Sequence, residues 1–164
     1  MIQKQVMPTD GLTHPLSKSD FEQLSEFRYQ LRIFLRFSEE ACRENGLTAL
    51  QYQLLLHGQG FPGRNWATIG ELAERLQAHH HGVVALASRC AELGLIERKP
   101  GRHDRRQVEI HLTASGHEQV TRLAALHRDE ITLLQGKLKL PNLESGREPA
   151  GTPQPETAAD KQGN

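Results

Sequence analysis

No stretch of this 164-residue sequence is apolar over the roughly 20 residues that a membrane span requires. An excess of charge is also missing. Twenty Lys and Arg face twenty Asp and Glu, so no global field draws the chain to DNA or to a membrane, and a nucleic-acid role would need a local basic patch. Cysteine is scarce: Cys42 and Cys90 are too few for a disulfide framework and lack metal-ligand spacing. The opening MIQKQVMPTDGLTHPLSKSD has no apolar signal-peptide core, which makes the cytosol the expected location. Glycine-rich phosphate loops, nucleophile elbows and HExxH are likewise missing, and Glu39-Glu40 reads as a solvated acidic pair. The expectation is a non-enzymatic protein without a cofactor.

What remains is a helical body between two polar tails. Residues 1–18 and 141–164, the second rich in Pro, Gly and charge, bury too little apolar surface to offset their ordering entropy and are expected to be disordered. The domain spans residues 19–140. Ser19-x-x-Glu22, Thr48-x-x-Gln51 and Thr68-x-x-Glu71 each fit a capping box, and Thr113 fits a helix start without the returning acid. The first helix, about 20–45, carries Leu24, Phe27, Leu31 and Phe34 on one stripe and stops at Asn45-Gly46. Helices follow at about 48–58, over IGELAERLQ, and from about 79 to 93. LIERK and QVEIHL read as strands, the second alternating with Val108, Ile110 and Leu112 on one face and Gln107, Glu109 and His111 on the other. Pro100-Gly101 fits the middle of a tight turn between them. The last helix, about 114–138, repeats Val120, Leu123, His127, Ile131, Leu134 and Leu138.

This order predicts a mainly α fold with a small β-hairpin: a winged helix-turn-helix core (residues 47–113) flanked by long terminal helices (19–46 and 114–140). One chain of this size cannot easily cover two long greasy helices. Pairing across a two-fold axis would bury them and set two reading helices side by side. Leu24, Phe27, Leu31, Leu123, His127, Ile131 and Leu134 are the expected dimer interface.

The hairpin tip supplies the missing basic patch. From Arg98 to Arg106, five Lys or Arg (Arg98, Lys99, Arg102, Arg105, Arg106) face one acid, Asp104, a phosphate-seeking feature on a neutral protein. TIGELAERL followed by HHHGVVALASRCAELGLIERKPGRHDRRQVEIHLTASG resembles the MarR family of bacterial transcription regulators, from about residue 20 to 138. The resemblance is strongest at the D-x-R of the wing, Asp104 and Arg106, with Leu112-Thr113 and Gly116 after it. It implies a winged-helix dimer on double-stranded DNA. Arg106 would enter the minor groove, Asp104 would organise the wing, Arg105 would serve a phosphate, and Arg102 would contact the DNA. Helix 79–93 would lie in the major groove, with Gln77, Ser88 and Arg89 reaching bases or phosphates, unless Arg89 only braces the wing. Gly82 and Ala85 stand where relatives often carry Ser, Thr or Arg, which puts the sequence read in question.

His79, His80 and His81 could be metal ligands, a proton switch or donors at the tip of the reading helix. Adjacent helical residues point about 100° apart and do not converge on one ion, so no metal site is assigned. As donors they would bind DNA more strongly as pH falls. Cys42 and Cys90 read as small buried hydrophobes, with oxidation of Cys90 as the redox alternative. The resemblance further implies a small phenolic or aromatic-acid effector. Phe37, Tyr52, His57 and Trp66 are the pocket candidates, against the alternative that they are core. His127 interrupts an apolar stripe as either a satisfied histidine or a sensitive point at the seam. The functional expectation is a homodimeric repressor of a pseudo-palindromic operator. The alternatives are a metal- or redox-responsive regulator of the same fold, and a winged-helix module for protein contacts alone.

Overall fold

The computed structural model describes residues 16–102 and 104–142. Most of both expected tails therefore lies outside the described residues. Among these, residues 30–102 with 104–138 form one compact unit, and residues 16–29 with 139–142 belong to another. The first helix, α1 (Lys18–Glu44), runs through both.

In the smaller unit the helix start differs from expectation. The reciprocal cap is Ser17 with Asp20 rather than Ser19 with Glu22: the Ser17 amide donates to Asp20 Oδ2 at 2.8 Å and the Asp20 amide to Ser17 Oγ at 3.2 Å. Both pairs satisfy the same spacing. Glu22 is drawn into an exposed pair with Lys18 at 3.4 Å, while the shorter Asp20 carboxylate reaches back over one turn. Leu24 and Phe27 are half-buried, and Phe21 and Tyr29 are exposed.

In the larger unit the local signals and the structure coincide more closely. Thr48 and Gln51 cap α2 (Ala49–Gln59), and Thr68 and Glu71 cap α3 (Ile69–Arg75), as complete capping boxes. α2 ends at Gly60 rather than Gly58. Gly46 and Gly94 have φ of 75° and 71°. Each lets the following amide reach back, Leu47 to Cys42 O at 2.9 Å and Leu95 to Cys90 O at 3.0 Å. The same closing bond after α3, Ala78 to Ala73 O at 3.0 Å, puts Gln77 at φ 49°, where glycine is the usual residue. α4 (His80–Glu92) begins three residues later.

α4 buries Val83, Leu86, Ala87 and Cys90, a three-and-four-residue stripe that meets Leu54, Leu55, Leu72, Ile110 and Leu123 in one core. Each Val, Leu or Ile side chain among them contributes about 1.5–3 kcal/mol when taken fully out of water. Three antiparallel strands complete the wing in the order β1 (Trp66–Thr68), β3 (Val108–Leu112), β2 (Ile96–Pro100). Central β3 pairs Trp66 with His111 on one side and Ile96 with Leu112 on the other.

One expectation about the hairpin is corrected. Pro100 is still in the ladder, opposite Val108, and the Gly101 amide bonds Gln107 O at 2.9 Å. The tight turn lies further out, where the Gln107 amide donates to Asp104 O at 2.9 Å. Burial in β3 does not follow its two faces: Val108 is exposed, Glu109 is only 2% accessible and His111 is half-buried.

The last helix, α5 (Ala114–Leu134), ends four residues before Leu138. The Thr113 hydroxyl accepts from the Gly116 amide at 3.1 Å and donates to Gly94 O at 2.6 Å, so one side chain caps α5 and ties it to the end of α4. Leu123, His127 and Leu134, expected at the dimer seam, are buried within the protomer, whereas Ile131 is exposed and Leu31 half-buried. On and around the terminal helices of this unit, exposed apolar residues include Ile33 and Leu35 on α1, and Leu126, Ile131, Leu133 and Leu138 on and after α5.

Candidate nucleic-acid interface

The sequence of α4 divides it sharply. Opposite its buried stripe lie His80, His81, Gly82, Val84, Ala85 and Arg89, all exposed, with Ser88 half-buried. His79 is the N-cap residue without a side-chain cap bond. Its ring stacks on that of His81, with centroids 5.6 Å apart and planes 8° from parallel. No group of three or more His, Cys, Asp or Glu among the described residues could hold a metal. Gln77, expected on the reading face, sits in the turn before α4 and donates from Nε2 to Glu74 O at 2.6 Å. Arg89 is exposed and makes no ion pair among the described residues. The brace between helix and wing comes from Arg98, which donates to Ser88 Oγ. Ser88 in turn donates to Val84 O at 3.0 Å.

Most of the wing cations are tethered. Asp104 Oδ1 accepts from the Arg106 amide at 3.0 Å and from Arg106 Nε at 3.2 Å. The Arg106 amide first, and its guanidinium second, hold the Asp104 carboxyl below the ordinary aspartate range. Lys99 pairs with Glu97 at 3.4 Å. Arg102 turns back onto the base of the wing, with Nε 3.4 Å from Glu109 Oε2 and its guanidinium 5.1 Å from the Trp66 ring centre. Arg105 is exposed without a pair among the described residues.

Behind the wing runs a ladder of cations and rings that the sequence reading missed. Arg75 lies 4.6 Å from the Phe61 ring, Arg64 stands 4.3 Å from Phe61 and 3.9 Å from Trp66, and Arg102 is over Trp66. Trp66 also stacks on His111 at 5.7 Å. Arg64 donates to Trp66 O at 3.0 Å and pairs with Glu71, the capping acid of α3. Burial pushes the Glu71 carboxyl up, but the Thr68 amide and hydroxyl with Arg64 outweigh it, and the net shift is downward. The ladder joins α3 to the wing through the face of one tryptophan, each contact contributing about 0.5–2 kcal/mol depending on exposure.

The four expected pocket residues do not share a site. Trp66 belongs to the ladder. His57 is half-buried at the end of α2, where burial first and nearby Arg75 second push its pKa down. Only Phe37 and Tyr52 meet, around His127. Tyr52 stacks on the imidazole at 4.6 Å, and Phe34 and Phe37 meet it edge-on at 6.1 and 5.7 Å. His127 Nδ1 donates to Leu123 O at 2.7 Å, and Nε2 lies 2.8 Å from Ser38 Oγ. Both ring nitrogens are thus satisfied inside the protomer. A shallow cavity of about 420 Å³ lies elsewhere, lined by Phe61, Glu71, Glu74, Arg75 and Gln77.

A helix-turn-helix braced to a basic hairpin, with long flanking helices, is an architecture shared with known regulators. Residues 45–107 match the sequence model of the MarR family. The fold is the MarR winged-helix fold. A MarR family transcriptional regulator of Streptomyces coelicolor, AbsC, superposes with a TM-score of 0.66 at 20% identity, over 79% of this chain and 86% of that one. A MarR family protein of Bacillus stearothermophilus superposes with a TM-score of 0.62 at 20% identity, over 74% and 84%. A mutant of MepR from Staphylococcus aureus, solved bound to an oligodeoxyribonucleotide, gives a TM-score of 0.53 at 22% identity, over 73% and 84%. Among curated proteins none matches this sequence. In the MarR fold of this chain, no helix among the described residues is long and apolar enough to cross a membrane.

Proposed function

We propose that this MarR-fold chain is a cytosolic, homodimeric transcription regulator that represses by binding a pseudo-palindromic operator. The observation that carries the reading is a reading helix with exposed His80, His81 and Arg89, braced through Ser88 to a wing with exposed Arg105 and Arg106. α4 enters the major groove, Arg106 the adjacent minor groove, and Arg89 and Arg105 meet phosphates. Two departures from the sequence expectation refine this. Gln77 closes a turn, and Arg102 is folded back on Glu109 and Trp66, so both drop behind the five residues just named. The MepR relative bound to DNA lends support from a shared fold.

The terminal helices, 19–46 and 114–140, dimerise in this reading. The exposed Leu126, Ile131 and Leu133 on α5 need cover, whereas Leu123, His127 and Leu134 support the interface from beneath. Half-sites then fall about 10 base pairs apart, one helical turn. A small phenolic or aromatic-acid effector releases the DNA by changing the spacing of the two reading helices. Phe37 and Tyr52, around His127, are the residues through which it acts.

The test is fluorescence anisotropy on the intergenic duplex beside the protein's own gene at two salt concentrations. Binding should weaken as salt rises, and Arg106→Ala should weaken it by at least about tenfold. Salt-independent binding, or full affinity in Arg106→Ala, would overturn the reading.

A further inference from the structure

The buried carboxylate of Glu109 is unexplained by the fold. It occupies the central strand of the sheet, on the face it shares with Gln107 and His111, yet it is only 2% accessible. An uncompensated carboxylate there would be costly. Every contact it makes is with the wing or its base: Oε1 accepts from the Arg102 amide at 2.9 Å, and Oε2 lies 3.4 Å from Arg102 Nε and 2.9 Å from His111 Nε2. Burial pushes the carboxyl up, but the Arg102 amide, His111 and the Arg102 charge together hold it below the ordinary glutamate range. Trp66 closes the arrangement, over Arg102 and stacked on His111. Immediately before Arg102 stands Gly101, where a Cβ would come within 2.4 Å of Asp104 O. The loop carrying Asp104, Arg105 and Arg106 is therefore gripped at its root.

We infer that Glu109 is a positioning residue for DNA binding: by holding the Arg102 amide and guanidinium, it fixes the root of the wing loop and thereby aims Arg106. Asp104 orders Arg106 locally, across two residues; Glu109 orders the whole loop against the sheet. The inference rests on the proposed DNA binding. It adds that a side chain without exposure of its own sets the affinity of one that has it.

The experiment is a double-mutant cycle in the full-length protein, read by anisotropy on the same intergenic duplex, together with NMR hydrogen exchange at the Arg102 amide. Glu109→Ala should weaken binding about tenfold, the size expected when a buried charge-assisted anchor is lost. Glu109→Gln keeps an acceptor for the amide but loses the charge, and should fall between. In an Arg106→Ala background, Glu109→Ala should cost less than about twofold, because the group it aims is gone. The Arg102 amide should exchange at least about tenfold faster in Glu109→Ala. The same loss in both backgrounds means a general structural effect and overturns the inference, as does unchanged exchange. If Glu109→Ala does not fold, Glu109→Gln is put through the same cycle and judged by the same two outcomes. A wild-type protein that binds no duplex refutes the DNA-binding reading itself, and exchange at Arg102 then decides on its own whether Glu109 holds the loop.

Discussion

Gly116 offers the sharpest test of how α5 is joined to the winged helix. A Cβ built on it would stand 2.0 Å from Leu95 O, whereas real Cβ atoms essentially never come within 3.0 Å of such an atom. Gly116→Ala therefore has to push α5 away from the α4–β2 turn by about 1 Å, and overpacking of this kind costs about 1–3 kcal/mol. The same carbonyl accepts from the Thr113 amide at 3.0 Å, and weakening that bond adds about 1 kcal/mol. Alanine returns about 1 kcal/mol through helix propensity, so the net loss is about 1–3 kcal/mol. At about 4 °C per kcal/mol for a domain of this size, Tm should fall by about 4–12 °C. The internal control is Gly70→Ala on α3, where a Cβ meets nothing within 4 Å; that variant should gain about 0.5–1 kcal/mol. Urea and thermal unfolding followed by circular dichroism measure both. Equal stability of Gly116→Ala and wild type, or destabilisation shared by Gly70→Ala, would refute the close-approach argument.

Two further outcomes are expected. Burial pushes the Cys90 thiol up to about 11 from an ordinary value of 9.0. Between those two values the unfolded chain releases a proton that the folded chain keeps, so the stability Cys90 contributes is complete below the lower value and lost above it, by at most about 3 kcal/mol. The urea-midpoint advantage of wild type over Cys90→Ala should accordingly shrink between pH 8 and pH 11, and parallel curves for the two proteins would contradict it. Replacing His80 and His81 with Ala should weaken duplex binding several-fold without changing the unfolding midpoint, since both side chains are exposed; unchanged anisotropy would remove the histidines from the reading face.

The elements legible in the sequence were those specified locally. Thr48, Thr68 and Thr113 announce helix starts because a cap is a contact across three residues, and Gly46 and Gly94 announce ends because only a few residues accept their φ. The buried stripe of α4 follows from a single period. The misreadings share a different cause. Periodicity says that one face of α5 is buried but not by which chain, so Leu123, His127 and Leu134 were expected at a partner and instead pack within the protomer. Alternation in β3 says which side chains share a face, but not that Arg102 and Trp66 close over the polar one. The ladder from Arg75 to Arg102 joins residues from α3, a loop, β1 and the wing, and no spacing rule links them. Even so, Arg64 and Trp66 two positions apart, with a capping glutamate downstream, were a readable hint of stacked cations.

The strand order bears on solubility as well as on shape. With β3 in the middle, the sheet offers two outer edges to other chains. One is β1, only three residues long. The other is β2, whose run Glu97-Arg98-Lys99-Pro100 ends in a residue that cannot donate a ladder hydrogen bond and carries charge throughout the rest. Short, charged and proline-ended edges are how sheets refuse strangers. The basic hairpin thus leaves neither outer edge of this sheet as a ready template for a further strand.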